Sequence, residues 1–320
     1  MKKTICLLIL FYANYAIAQL KVEQLTNDSL MKLFISQQTG KKFQDLHFMT
    51  LEELRNRRVI GVNSELDSNQ TEKSLIADFN KDGKQDLVVS YAERTPSQKY
   101  VDGFYVMTFV STLSGDYKKK NLWNEYDHLY GSPVRLFSNP LYFVLARLEY
   151  EFREEKIRYD TLKYFQGEFI NVNDACVKAF DSIKYYRSSN WVSSSHQYSH
   201  LTIFPNMTMK REDFYDGKKR IYTCSLKVAV FDSLYKLICQ VNVWNLKDNY
   251  EMKSISDAGT SHLVIGYRGV VKTIDDYGHW GNFGLGALYQ VLNRLSSEAQ
   301  WTLSLPPKIE YKPQKIGKLN

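Results

Sequence analysis

Apolar and polar positions change their period several times along this chain, and the changes mark its elements. Leu30, Leu33, Phe34 and Gln37 follow i, i+3, i+4 spacing behind Asn27 and Asp28, residue types that cap helix starts, so Leu20 to Gly61 reads as helical. Thr50 and Glu53 form a capping box that opens a further helical turn at Leu51. From Ser74 the period shortens to that of strands, with short apolar runs at Ser74 to Ala77 and Leu87 to Tyr91. Strands are expected at Gly103 to Thr112, Leu141 to Tyr150, Lys156 to Phe165 and Glu168 to Val172, with turns at Ser114-Gly115-Asp116, Gly131-Ser132-Pro133 and Gln166-Gly167.

Asp174 to Val177 reads as a link, after which a second set of elements begins. Strands at Ala179 to Tyr186, Tyr198 to Phe204, Met207 to Tyr215 and Arg220 to Val228 precede a helix whose face is Val230, Phe231, Leu234, Leu237, Ile238 and Val241. Two strands, Thr260 to Tyr267 and Val270 to Asp275, meet at Arg268-Gly269, and Leu285, Leu288, Leu292 and Leu295 stripe a closing helix. The pattern predicts an α+β chain of two units, 19–177 and 178–303, each a mainly antiparallel sheet covered by one or two helices. Residues 304–320, rich in proline and lysine, are expected as an extended basic tail.

The turn between the first two strand runs carries the clearest chemistry. Asp78, Asn80, Asp82 and Asp86 put oxygens at positions 1, 3, 5 and 9 of a nine-residue loop, Gly83 sits at 6, and Lys84 offers its carbonyl at 7. Calcium takes six to eight oxygen ligands, and a chain that coils tightly about the ion supplies them from alternate positions. An EF-hand would need a Glu at position 12, where this chain has Val89. The expected metal ligands are therefore Asp78, Asn80, Asp82, Lys84 and Asp86, and the expected ion is Ca²⁺.

With strands on both sides, this loop resembles those of the FG-GAP repeat family, which join strands in propeller blades. No second Asp-x-Asn-x-Asp-Gly occurs, so the resemblance does not extend to a repeated propeller. The second unit also resembles a known type: Asp257-Ala258-Gly259-Thr260, a strand pair ending in Lys272-Thr273-Ile274-Asp275-Asp276-Tyr277-Gly278, a glycine turn, a helix and Trp301 look like a bacterial envelope domain family of unassigned function. Its members often carry a close cysteine pair where this chain has Ser193, Ser194, Ser195 and His196, so no site residue carries over.

The N-terminus changes the expected location. Met1-Lys2-Lys3, the apolar run Ile5 to Tyr12 and Ala16-Ile17-Ala18 form a leader with cleavage after Ala18, which implies export to the periplasm or beyond. No later run approaches the eighteen apolar residues of a spanning helix, so no transmembrane segment is expected in the mature chain. The formal charge of +7 is scattered rather than striped, which argues against nucleic acid as partner. Of four cysteines, Cys176, Cys224 and Cys239 follow the leader; a Cys224–Cys239 bridge and buried free thiols both stay open.

Other chemistry is thinly supported. His196 and His200 suit one metal only on a helix, and along a strand they stand about 13 Å apart. The Gly278 to Gly286 turn could hold an anion at a helix start, against a packing and capping role. Neither H-E-x-x-H nor G-x-S-x-G occurs. The function expected is thus that of an exported, calcium-stapled, non-catalytic protein binding an unknown protein, glycan or envelope component. The alternative is a secreted or periplasmic hydrolase with a site between the units near His262, Asp276 and His279.

Overall fold

The computed structural model describes residues 20–48, 72–93, 103–122, 131–138, 141–151, 154–173, 180–188, 198–215, 218–251, 258–279 and 281–304. The leader, the capping box at Thr50, the Asp174 to Val177 link, His196 and the tail beyond Ser304 lie outside them.

The fold is α+β, built on three mainly antiparallel sheets with a few covering helices. The first sheet comprises β1 (Leu46–His47), β2 (Ser74–Ala77), β3 (Asp86–Glu93), β4 (Gly103–Ser111) and β5 (Tyr117–Asn121). β1 and β2 share one edge of β3, and β4 holds the other. Helix α1 (Asp28–Thr39) starts where Asn27 accepts the Leu30 N–H and stops at Gly40, whose φ of 74° suits a residue without a Cβ. Its Met31, Phe34 and Ile35 pack on Leu87, Val89, Tyr91 and Phe109. The other face of the sheet presents Val88, Val106 and Val110 to a second sheet. β3 is covered on both sides, which explains why its apolar run is nearly continuous rather than alternating.

That second sheet runs in order through β6 (Gly131–Ser138), β7 (Leu141–Glu151), β8 (Glu154–Phe165) and β9 (Glu168–Asn171). The turn expected at Gly131-Ser132-Pro133 is instead the start of β6, an edge strand that slips register between Pro133 and Arg135. An edge position with a register slip accommodates a residue that has no N–H to give to the ladder. Inside this sheet Arg147 Nε lies 2.6 Å from Asp160 Oδ2, and Asn171 Nδ2 donates to Asp160 Oδ1 at 2.9 Å. Both ionic partners are buried.

The third sheet has eight strands: β10 (Ser182–Ser188), β11 (Tyr198–Ile203), β12 (Thr208–Tyr215), β13 (Lys218–Ser225), β14 (Asn249–Tyr250), β15 (Thr260–Tyr267), β16 (Val270–Tyr277) and β17 (Thr302–Leu303). Only β14 and β16 run parallel among these pairs. Helices α2 (Val228–Val241) and α3 (Phe283–Glu298) cover one face through Leu234, Leu237, Ile238, Leu285, Leu288 and Leu292. Gly284 lets them approach closely, since a Cβ there would stand 3.1 Å from a Val241 methyl. β9 joins the two halves: Phe169 points into the sandwich core and its neighbour Ile170 into the core beneath α2 and α3. The Arg147 guanidinium also lies 4.9 Å from the Phe283 ring of α3.

Among the described residues no helix is long and apolar enough to cross a membrane. Cys224 is a free thiol and Cys239 is disulfide-bonded, so the Cys224–Cys239 bridge does not form.

Candidate functional site

The Asp78 to Asp86 loop connects β2 to β3, whose paired residues Ala77 and Asp86 close its base. The backbone turns left-handed twice, at Lys81 (φ 60°) and Gly83 (φ 85°), and the second is the position where glycine removes the strain. Alternate side chains turn back on the loop's own N–H groups. Asp78 accepts from Asp82 N at 3.0 Å and Gly83 N at 2.9 Å. Asn80 accepts from Asp82 N at 3.0 Å, and Asp82 from Lys84 N at 2.9 Å. Such local bonds hold the short side chains inward and curl the chain about a centre.

Asp86 is fully buried and serves as an anchor. Its Oδ2 accepts from Phe79 N at 2.8 Å and Asn80 N at 3.3 Å, and its Oδ1 from Ser111 N at 2.7 Å. Burial pushes its carboxyl above the ordinary carboxylate range, against the pull of these donors. Asp82 moves the other way: desolvation raises it, but the donors Lys84 N, Ser111 Oγ and Asn80 together hold it below the usual value. Ser111 Oγ lies 2.8 Å from Asp82 Oδ2 and also 2.8 Å from Asp86 Oδ1. One hydroxyl hydrogen serves only one of these carboxylates at a time.

Two partners escape the sequence pattern. Ser111 stands 25 residues from Asp86 at the end of β4, and Glu23 accepts from Gln85 N at 3.1 Å. The Lys84 side chain reaches across to the end of β4, where its Nζ donates to Thr112 O at 2.8 Å. Among the described residues no three His, Cys, Asp or Glu side chains are grouped as a metal site. In this arrangement Asp78 accepts from Asp82 N and Gly83 N, and Asp86 from Phe79 N, Asn80 N and Ser111 N, so both carboxylates are engaged by backbone donors.

His262, Asp276 and His279 do not converge either, because successive strand residues point to opposite faces. On the helix-covered face, Asp276 accepts from Gly281 N at 2.9 Å and His279 Nε2 lies 2.8 Å from the buried Ser261 Oγ. Burial, with Arg187 nearby, lowers His279 to about 4, so it is neutral at pH 7. On the open face, His262 Nδ1 is 2.6 Å from Asp275 Oδ1, its Nε2 is 3.3 Å from Ser188 Oγ, and Tyr186 stacks on its ring at 4.3 Å. Ser188 Oγ also reaches Thr260 O at 3.4 Å.

The Gly278 to Gly286 turn spends its donors on packing and capping. Asn282 accepts from Leu285 N at 2.8 Å, and a Cβ at Gly281 would stand 2.6 Å from Asp276 Oδ2 and from a Leu285 methyl.

The fold and this loop define an α+β chain with a strand-to-strand acidic loop. Comparison with protein families, curated proteins and solved structures finds no match to the chain.

Proposed function

We propose that the chain is an exported, calcium-stapled binding protein of two α+β units meeting near Asn173 to Val177, with no catalysis of its own. One observation carries the reading: Asp82 and Asp86 share a single Ser111 hydroxyl, which leaves negative charge in a loop already curled as a calcium loop requires. Asp78, Asn80, Asp82, the Lys84 carbonyl and Asp86 would hold the ion by turning carboxylate oxygens from their present N–H donors toward it, and a bound cation would neutralise the carboxylates. The resemblance to FG-GAP loops supports the same ion. The Cys239 disulfide supports export, because such bonds persist in oxidising compartments. The partner is an unidentified protein, glycan or envelope component.

The test is a thermal melt of the full chain. Exported modules of this kind bind calcium at about 10⁻⁴ to 10⁻³ M. At ten times the dissociation constant, calcium adds roughly 1.4 kcal/mol to the N-terminal unit. We expect the N-terminal transition to rise, the C-terminal one to stay almost unchanged, and Asp82→Ala to abolish the shift. A midpoint that ignores calcium, or that magnesium raises equally, sinks the calcium reading. One transition moving as a whole sinks the two-unit reading alone.

A second reading rests on the Ser188–His262–Asp275 chain, which has the order of nucleophile, base and orienting acid in serine hydrolases. Under the favoured reading a fluorophosphonate probe leaves Ser188 unmodified. Labelling at Ser188 that His262→Ala abolishes would make the hydrolase the better account.

A further inference from the structure

A groove of about 820 Å³ lies between α2, the C-terminal half of α3, β12–β13 and the β8–β9 turn. Its size falls within the range that holds whole small-molecule ligands. The floor is apolar: Met209, Leu234 and Leu237 are buried beneath it, and Val291 and Leu295 of α3 form a wall.

The rim is charged unevenly. Lys227 and Arg294 border the groove and are exposed, and neither has an ion-pair partner among the described residues. Lys118 lies near enough to Arg294 to feel its charge. Of the two acidic residues at the rim, Glu168 is already paired with Lys118 and Lys120, which leaves Glu298. Helix α2 also begins at this rim without a side-chain cap on its first N–H groups, which adds partial positive charge.

An apolar trough with a net cationic rim is complementary to a molecule with a long hydrocarbon chain and one negative end. We propose that this groove binds a single-chain anionic amphiphile of the fatty-acid type, the chain lying on Leu234, Leu237 and Leu295 and the head group between Lys227 and Arg294. The inference deepens the binding reading above and rests on it, but it does not depend on calcium.

Cys224 makes the test possible in the natural protein, because this free, half-buried thiol lines the groove. Iodoacetamide modification of Cys224 is followed by peptide mass spectrometry on the full chain, with oleate below its micelle concentration as probe. At ten times its dissociation constant oleate is expected to slow modification about tenfold. Oleyl alcohol should protect less, and Lys227→Glu with Arg294→Glu should remove the protection by oleate while leaving the melting profile in place. Absence of protection by oleate overturns the proposal, as does equal protection by oleyl alcohol that survives the charge reversal. Protection that rises with protein concentration without any oleate assigns the groove to a second copy and overturns it too. Failure here leaves calcium-dependent melting untouched, so the two readings fail separately.

Discussion

Asp86→Ala is expected to destabilise the N-terminal half by about 3–5 kcal/mol, the summed cost of leaving its backbone donors without an acceptor. Phe79 N, Asn80 N and Ser111 N all donate to this carboxylate, and the residue is fully buried. Alanine leaves those N–H groups without acceptors where water does not reach, and each such orphan costs about 1–3 kcal/mol. Asp86→Asn should fall between, since one amide oxygen still accepts while the NH₂ faces donors. Urea unfolding followed by the fluorescence of the N-terminal half measures the loss. A cost below about 1 kcal/mol would show that the loop tolerates losing its anchor. Because burial raises the folded pKa of Asp86, this group contributes no stability that acid would remove. Asp82, held below its ordinary value, contributes stability present above that value and lost as pH falls through the folded one.

Asp160→Ala should cost a similar amount, about 3–5 kcal/mol, and for a related reason. It removes a counter-charge of the buried Arg147 guanidinium, whose Nε sits 2.6 Å away. Asn171 Nδ2 loses its acceptor as well. Arg147 lies against Phe283 of α3, and Asn171 Oδ1 lies 3.4 Å from Gly284 N, so the damage falls on the contact between the halves. The double variant Arg147→Met, Asp160→Leu should recover most of the loss, because an apolar pair asks for no desolvation. Equilibrium unfolding of the single and double variants decides it. A double variant no better than Asp160→Ala would mean that the ion pair fixes the contact by geometry rather than by charge balance.

Much of this architecture was legible in the sequence. The Ser74 to Ala77 strand, the tight loop with glycine at its sixth position, and the stripes of α2 and α3 followed from local periodicity and turn chemistry, which neighbouring residues set without help from distant ones. Elements fixed by distant partners were not legible. β1 lay in a stretch read as helical, and pairing with Ala92 and Glu93 made it a strand. β5, written Tyr-Lys-Lys-Lys-Asn, looks like a solvated run because lysines suit an exposed edge strand. The same division runs through the candidate sites. Spacing determined which oxygens turn inward at Asp78, Asn80 and Asp82, but the register of β4 brought Ser111 to Asp86 and drew that carboxylate under the strands. Strand alternation put Asp275 rather than Asp276 beside His262, and whether either faces a partner depends on which side the helices cover, which only long-range packing decides.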